Sequence, residues 1–292
     1  MKQMKKKIAF IVTLLFILQS ITASGPLRII MFGAHPDDCE VYGGGTAALY
    51  AKMGHKVKFV SLTNGDKGHH EMKSPELAAR RAKEIQEVSK VLGIDYEYID
   101  NHDGELMPTL ENRKKVIRMI CDWKADVVIT HRPNDYHPDH RYASAIVQDA
   151  AYMISVPLMV PGGEPLLKEP LFLYSADDFT KPTRFSPDIV IDITPAIKTK
   201  VDAIYAHESQ MFEWLPWNEG ILDQIPKDRA GREQFLIDRY MTNTKEKYKE
   251  AAKKWYTPAQ VEKALYLEAF EICEYGRIPT KEDIRQLFPM LP

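Results

Sequence analysis

LRIIMFGAHPDDCE, residues 27–40, sets an apolar run directly against a histidine, two aspartates and a glutamate. Apart from Arg28 the run is too continuously apolar for a strand with one face in water, so it reads as a strand buried on both faces. The same arrangement recurs along the chain. Strands are expected at residues 28–33, 56–62, 96–99 and 126–130, and helices at 46–53, 75–92, 110–123 and 141–153. In the second helix Leu77, Ala78, Ile85, Val88 and Leu92 share one face. Strand and helix in alternation predict an α/β, Rossmann-like fold: a mostly parallel sheet covered by helices on both faces.

After Pro157 the pattern loosens. Strands are expected at 171–174 and 189–193 and a helix at 195–211. Beyond Trp214 the chain reads as charged and helical, especially 231–256 and 258–275. The division that follows is a leader at 1–24, a main domain at 25–212, and a helical C-terminal extension at 213–292 packed on that domain. The leader combines basic residues at 2–7, an apolar stretch at 8–18 and small residues at 22–25, the pattern of a cleaved export signal. Its apolar part falls short of the ~20 residues a bilayer span requires, so no stable membrane span is expected after cleavage, and the location is periplasmic or extracellular.

A formal net charge of −2 over 292 residues gives no electrostatic bias toward nucleic acid, and assembly into an oligomer is left open. Cys39, Cys121 and Cys273 are odd in number and far apart, which does not indicate a disulfide framework. Cys39 beside Asp38 is read as a thiol packed under the loop.

In parallel sheets the functional loops gather where strands end. Four polar clusters stand at such ends: 33–40, Thr63 to Gly68, Asn101 to Gly104, and HRPNDYHPDH at 131–140. His35 and Asp38, three apart in a tight loop, can turn to one cation, with a histidine of the fourth loop completing the set. Spacing does not choose between His137 and His140. Two imidazoles, one carboxylate and open positions make a catalytic rather than a closed structural zinc pattern, with other divalent metals compatible. Such an ion acidifies bound water. Asp37 is then the natural base, the other histidine an acid or oxyanion donor, and Asp139 a carboxylate to orient it. Gly43, Gly45 and Ala48 fit a loose dinucleotide fingerprint, but the acids before them would repel phosphate, so close helix packing is the better reading. A Gly-x-Ser-x-Gly elbow, a Cys-x-x-Cys pair and a His-Glu-x-x-His helix are all missing from the sequence.

The ordered series Ala34 to Glu40, Thr63 to Gly68, Arg81 to Glu84, Leu92-Gly93, Asp103-Gly104 and His137 to Arg141, with Ala206 to Gln210 behind it, resembles the LmbE-like or PIG-L deacetylases. That resemblance implies zinc-dependent removal of acetyl groups from N-acetylglucosamine units. It makes His35, Asp38 and His140 the zinc ligands, Asp37 the general base and His137 the acid or electrostatic partner, with Arg81 and Asp103 on the sugar. The expected partner is a small-molecule or oligosaccharide substrate bearing an N-acetylhexosamine. Two rivals are a metal-dependent amidase or esterase on another bond, and a sugar-binding protein without catalysis. Trp214 and Trp217, outside the resemblance, suit either a sugar platform or a hydrophobic anchor for the tail.

Overall fold

The computed structural model describes residues 25–292; the expected export signal at 1–24 lies outside the described residues. One seven-stranded sheet runs in the order β3-β2-β1-β4-β5-β7-β6. The strands are β1 (Arg28–Gly33), β2 (Lys56–Ser61), β3 (Asp95–Tyr98), β4 (Val127–Thr130), β5 (Leu171–Ser175), β6 (Ile189–Asp192) and β7 (Leu267–Ile272). The first five run parallel to one another, whereas β7 runs antiparallel to both β5 and β6. The helices that matter for the site are α1 (Asp38–Lys52), α2 (Glu76–Leu92), α3 (Leu110–Trp123), α4 (Pro138–Met153) and α5 (Ile197–Tyr205). Among the described residues no helix is long and apolar enough to cross a membrane.

Alternate residues of β1 feed two cores. Ile29 and Met31 pack in the layer with α1 and α2, while Ile30 and Phe32 pack with α3 and α4. Covering on both faces is why these strands read as continuous apolar runs. The first helix begins at Asp38, earlier than the sequence suggested, so the metal-like loop is itself a helix N-terminus. Gly45 is needed there: a Cβ would stand 2.7 Å from Ile193 Cβ.

The expected helix at 258–275 is corrected. Only Pro258–Lys263 is helical, and Leu267–Ile272 is the strand that joins β5 to β6. Glu268, one of several helix formers in this segment, is 5 % exposed. It accepts from Gly45 N, Thr46 N and Thr46 Oγ1 on α1 and from Lys200 Nζ at 2.6 Å. Burial and pairing override local preference. The tail is thus part of the sheet as well as a helical cover.

Candidate active site

The sheet's order reverses between β1 and β4, the place where parallel α/β sheets open a crevice. The loop after β1 and the loop after β4 meet there. His35, Asp37, Asp38, Asp103, His137 and His140 all face one cleft of about 620 Å³.

Asp38 Oδ2 is fixed by its own loop, accepting from Ala34 N at 2.9 Å and His35 N at 2.7 Å. Its other oxygen, Oδ1, stands 3.4 Å from His140 Nε2. Burial works to raise this carboxyl, but the facing His140 and His131 outweigh it and hold it well below the usual range. His35 Nε2 lies 3.1 Å from both Asp103 Oδ1 and Asp139 Oδ2, so that nitrogen carries the proton and Nδ1 carries the lone pair. Burial pulls His35 down, yet these carboxylates raise it well above the ordinary value. His140 Nδ1 sits 3.1 Å from Asp135 Oδ1, which leaves Nε2 as its lone pair.

Two lone pairs therefore confront each other at 3.2 Å, His35 Nδ1 to His140 Nε2, with Asp38 Oδ2 3.6 Å from the first. Such an arrangement is repulsive unless a cation or an extra proton lies between. A four-coordinate ion with bonds of about 2.1 Å puts neighbouring donors about 3.4 Å apart, close to the spacing seen. The donor set fits a divalent ion.

Asp37 stands at the head of α1 with φ 155° and ψ −24°, a backbone region that side chains rarely adopt. Its Oδ2 accepts from Arg81 Nη2 at 3.0 Å. Burial, helped by Asp38 and opposed by Arg81, raises its pKa to about 6. Arg81, expected on the sugar, also donates to the Pro36 carbonyl and is 1 % exposed, so its guanidinium chiefly holds the loop of Asp37. Gly65, at φ 68°, lets it pass: a Cβ there would lie 2.6 Å from Arg81 Nη1.

His137 caps α4, accepting the Asp139 amide at Nδ1 over 3.2 Å, so the neutral ring carries its proton on Nε2. Burial and the neighbouring His35 and His140 lower its pKa. Here the reading of Asp139 is corrected. Its carboxylate accepts from His35 Nε2 and from the amides of Gly104 and Leu106, and only its backbone touches His137. A carboxylate in the first turn of a helix cannot be aimed from sequence alone, because its direction depends on where the third loop lies.

Two participants had been given no role. Asp135 braces His140 and accepts the His137 amide at 2.9 Å. His131, 3 % exposed, lies 3.2 Å from Asp38 Oδ2 and stacks on His140 with centroids 4.1 Å apart. The signal available was position, since both stand in the loop directly after β4. Cys39 is buried and points its thiol at the Met31 carbonyl, away from the donors. The tail supplies a wall: Trp214, Leu215, Asn218, Glu219, Arg239 and Tyr240. Trp217 instead stacks on His70 at the rim, with centroids 4.9 Å apart.

Residues 30–151, which carry both loops, match the family model described as PIG-L, GlcNAc-PI de-N-acetylase. This segment matches the PIG-L family. Beyond it, the chain is similar to the diacetylchitobiose deacetylase of Thermococcus kodakarensis, 28% identical over 203 residues, 65% of this chain and 73% of that one. In structure it resembles an N,N'-diacetylchitobiose deacetylase from Pyrococcus horikoshii, with a TM-score of 0.65, 24% identity, and 86% and 85% of the two chains covered. It resembles equally a 4-carboxy-2-hydroxymuconate hydratase from Pseudomonas putida, with a TM-score of 0.67, 17% identity, and 87% and 99% covered. At these identities the likeness is one of fold, and a fold shared by a deacetylase and a hydratase does not choose the reaction. The family match and the geometry of the site must do that.

Proposed function

We propose that this protein is a zinc-dependent hydrolase that removes the acetyl group from an N-acetylhexosamine unit of a glycan or glycoconjugate. The observation that carries the reading is the Asp37 carboxylate adjoining three converging donors in the cleft. A binding module has no use for a base there. The names of the relatives, deacetylases of acetylated amino sugars, point the same way.

A divalent ion held by His35, Asp38 and His140 would polarise the acetamide carbonyl and bring a water toward a pKa of about 7. Asp37 accepts the proton of the attacking water as a C–O bond forms at the carbonyl carbon. His137 Nε2–H donates to the oxyanion that develops. The proton on Asp37 then passes to the nitrogen, the C–N bond breaks, and acetate and a free amine depart. Arg81 keeps the base in place throughout, and Asp103 with Asp139 fixes the His35 tautomer.

Acetate and free amine released from N-acetylglucosamine-containing glycans test the reading directly. Asp37→Asn should lower the rate about 100 to 10,000-fold with metal content unchanged. Release of an alcohol or of a different acid, with no acetate from any acetylated sugar, would favour an esterase or amidase. For the leader at 1–24 we propose cleavage on export, which the mass of the protein recovered from outside the cytoplasm checks.

A further inference from the structure

Tyr240 ends the tail helix Arg229–Tyr240 and puts its phenol into the wall of the donor-set cleft, outside the residues 30–151 that match the family. Its oxygen is held from one side. Arg239 Nε donates to Tyr240 Oη at 3.1 Å, and the same guanidinium is locked by Glu219, with Nη1 2.7 Å from Oε2 and Nη2 on Oε1. A bidentate pair of this kind fixes the fork in direction as well as in charge. With one lone pair of the phenol oxygen taken, its proton is confined to the directions that remain. Burial, opposed by Arg239, pushes the pKa up to about 12, so the oxygen keeps that proton at neutral pH.

The proton meets a poor partner. Tyr240 Oη donates to Met211 Sδ at 3.2 Å, and a thioether sulfur is a weak acceptor. Met211 also lines the cleft, in the π-helical turn Ser209–Trp214, and single π turns recur at functional sites. A half-buried hydroxyl that receives a guanidinium bond is a stronger donor than a free one, because hydrogen bonds in series polarise one another. Set against sulfur, such a donor gains by moving to an oxygen. The fold does not need it where it is: the ring is anchored by packing against the cluster of Ile204, Phe212 and Leu236.

Resting on the deacetylase reading, we propose that Tyr240 is a specificity-determining donor, whose O–H leaves Met211 and bonds a hydroxyl oxygen of the acetylated sugar, with Arg239 as the positioning residue that aims it. The tail thereby reads an oxygen of the substrate away from the acetamide.

The test measures calorimetric affinity and acetate release with N-acetylglucosamine and its 3-, 4- and 6-deoxy derivatives. The proteins are the wild type, Tyr240→Phe, Arg239→Gln and the double variant. Tyr240→Phe keeps the ring and gives up only the bond to sulfur and the one from Arg239, so its unfolding midpoint should stay close to that of the wild type. The wild type should bind one deoxy derivative about tenfold more weakly than the parent sugar. Tyr240→Phe should bind the parent about tenfold more weakly and no longer distinguish that derivative, with KM carrying the change and kcat nearly unaltered. Arg239→Gln should weaken binding by itself and add nothing on top of Tyr240→Phe. A wild type that does not discriminate, discrimination that survives in Tyr240→Phe, or losses that add in the double variant would overturn the proposal. Should the wild type release no acetate from any of these sugars, the deacetylase reading fails, and the calorimetric comparison still decides the role of Tyr240.

Discussion

Arg81 Nη2 stands 3.0 Å from Asp37 Oδ2, a buried cation set against a buried carboxyl group. Because the base must be ionised, kcat/KM should fall as pH drops, with a half-point at or below about 6, since a bound metal ion pulls the Asp37 value further down. Arg81→Gln removes the charge that opposes burial, so the acid limb should move to higher pH. A limb that stays in place in that variant separates Arg81 from the base.

The same carboxyl leaves a signature in the metal-free protein. Its usual value of 3.8 is raised to about 6, so between those pH values the folded state keeps a proton that the unfolded state has released. Stability should therefore decline as pH rises across that window, by up to about 3 kcal/mol. Urea unfolding of the chelated protein at several pH values should show this decline, and Asp37→Asn should flatten it.

Backbone strain at Asp37 can be isolated by comparing two variants that both lack the carboxylate. At φ 155° and ψ −24° a Cβ is poorly tolerated and glycine is not penalised in the same way. Asp37→Gly should be more stable than Asp37→Ala by about 1 kcal/mol, both being inactive. Equal midpoints in denaturant would show that the loop relaxes.

His35 Nε2 has two carboxylates at the same distance, and each can stand in for the other. Asp103→Asn or Asp139→Asn alone should weaken metal binding by about tenfold, and the pair by more than the product of the two. Competition with a chromogenic chelator gives these affinities.

Glu268 bonds Lys200 with both side chains nearly inaccessible, 4% and 3%. Glu268→Gln keeps an oxygen for the α1 amides but strands the ammonium, and should cost about 3–5 kcal/mol in unfolding experiments.

The parallel half of the fold was legible because its strands are apolar without interruption, and the two His-Pro-Asp loops were legible because their chemistry is packed into consecutive residues. Neither property extends to β7. Leu-Glu-Ala-Phe-Glu-Ile contains good helix formers, and it becomes a strand through partners about 100 residues upstream in β5 and 80 in β6. Asp139 is legible as a participant but its direction is not, because a first-turn side chain is directed by the loop it meets and that loop, Asp103 to Leu106, is remote in sequence. His131 contacts Asp38 and Asp135 contacts His140 and the His137 amide, and spacing gives no sign of such contacts. The cleft wall from Trp214 to Tyr240 belongs to no motif and needed coordinates.

The antiparallel β7 also fixes a schedule. On the ribosome β6 is made roughly 75 residues before the strand that separates it from β5, about 4–15 s at ~5–20 residues per second. Until then the sheet has an open seam, α1 lacks the carboxylate that caps Gly45 and Thr46, and nascent chains stopped short of Ile272 cannot finish the scaffold under the site. A finished sheet beneath the site is thereby reserved for chains that extend through Ile272, and chains ended before it present an unpaired edge for proteases to recognise.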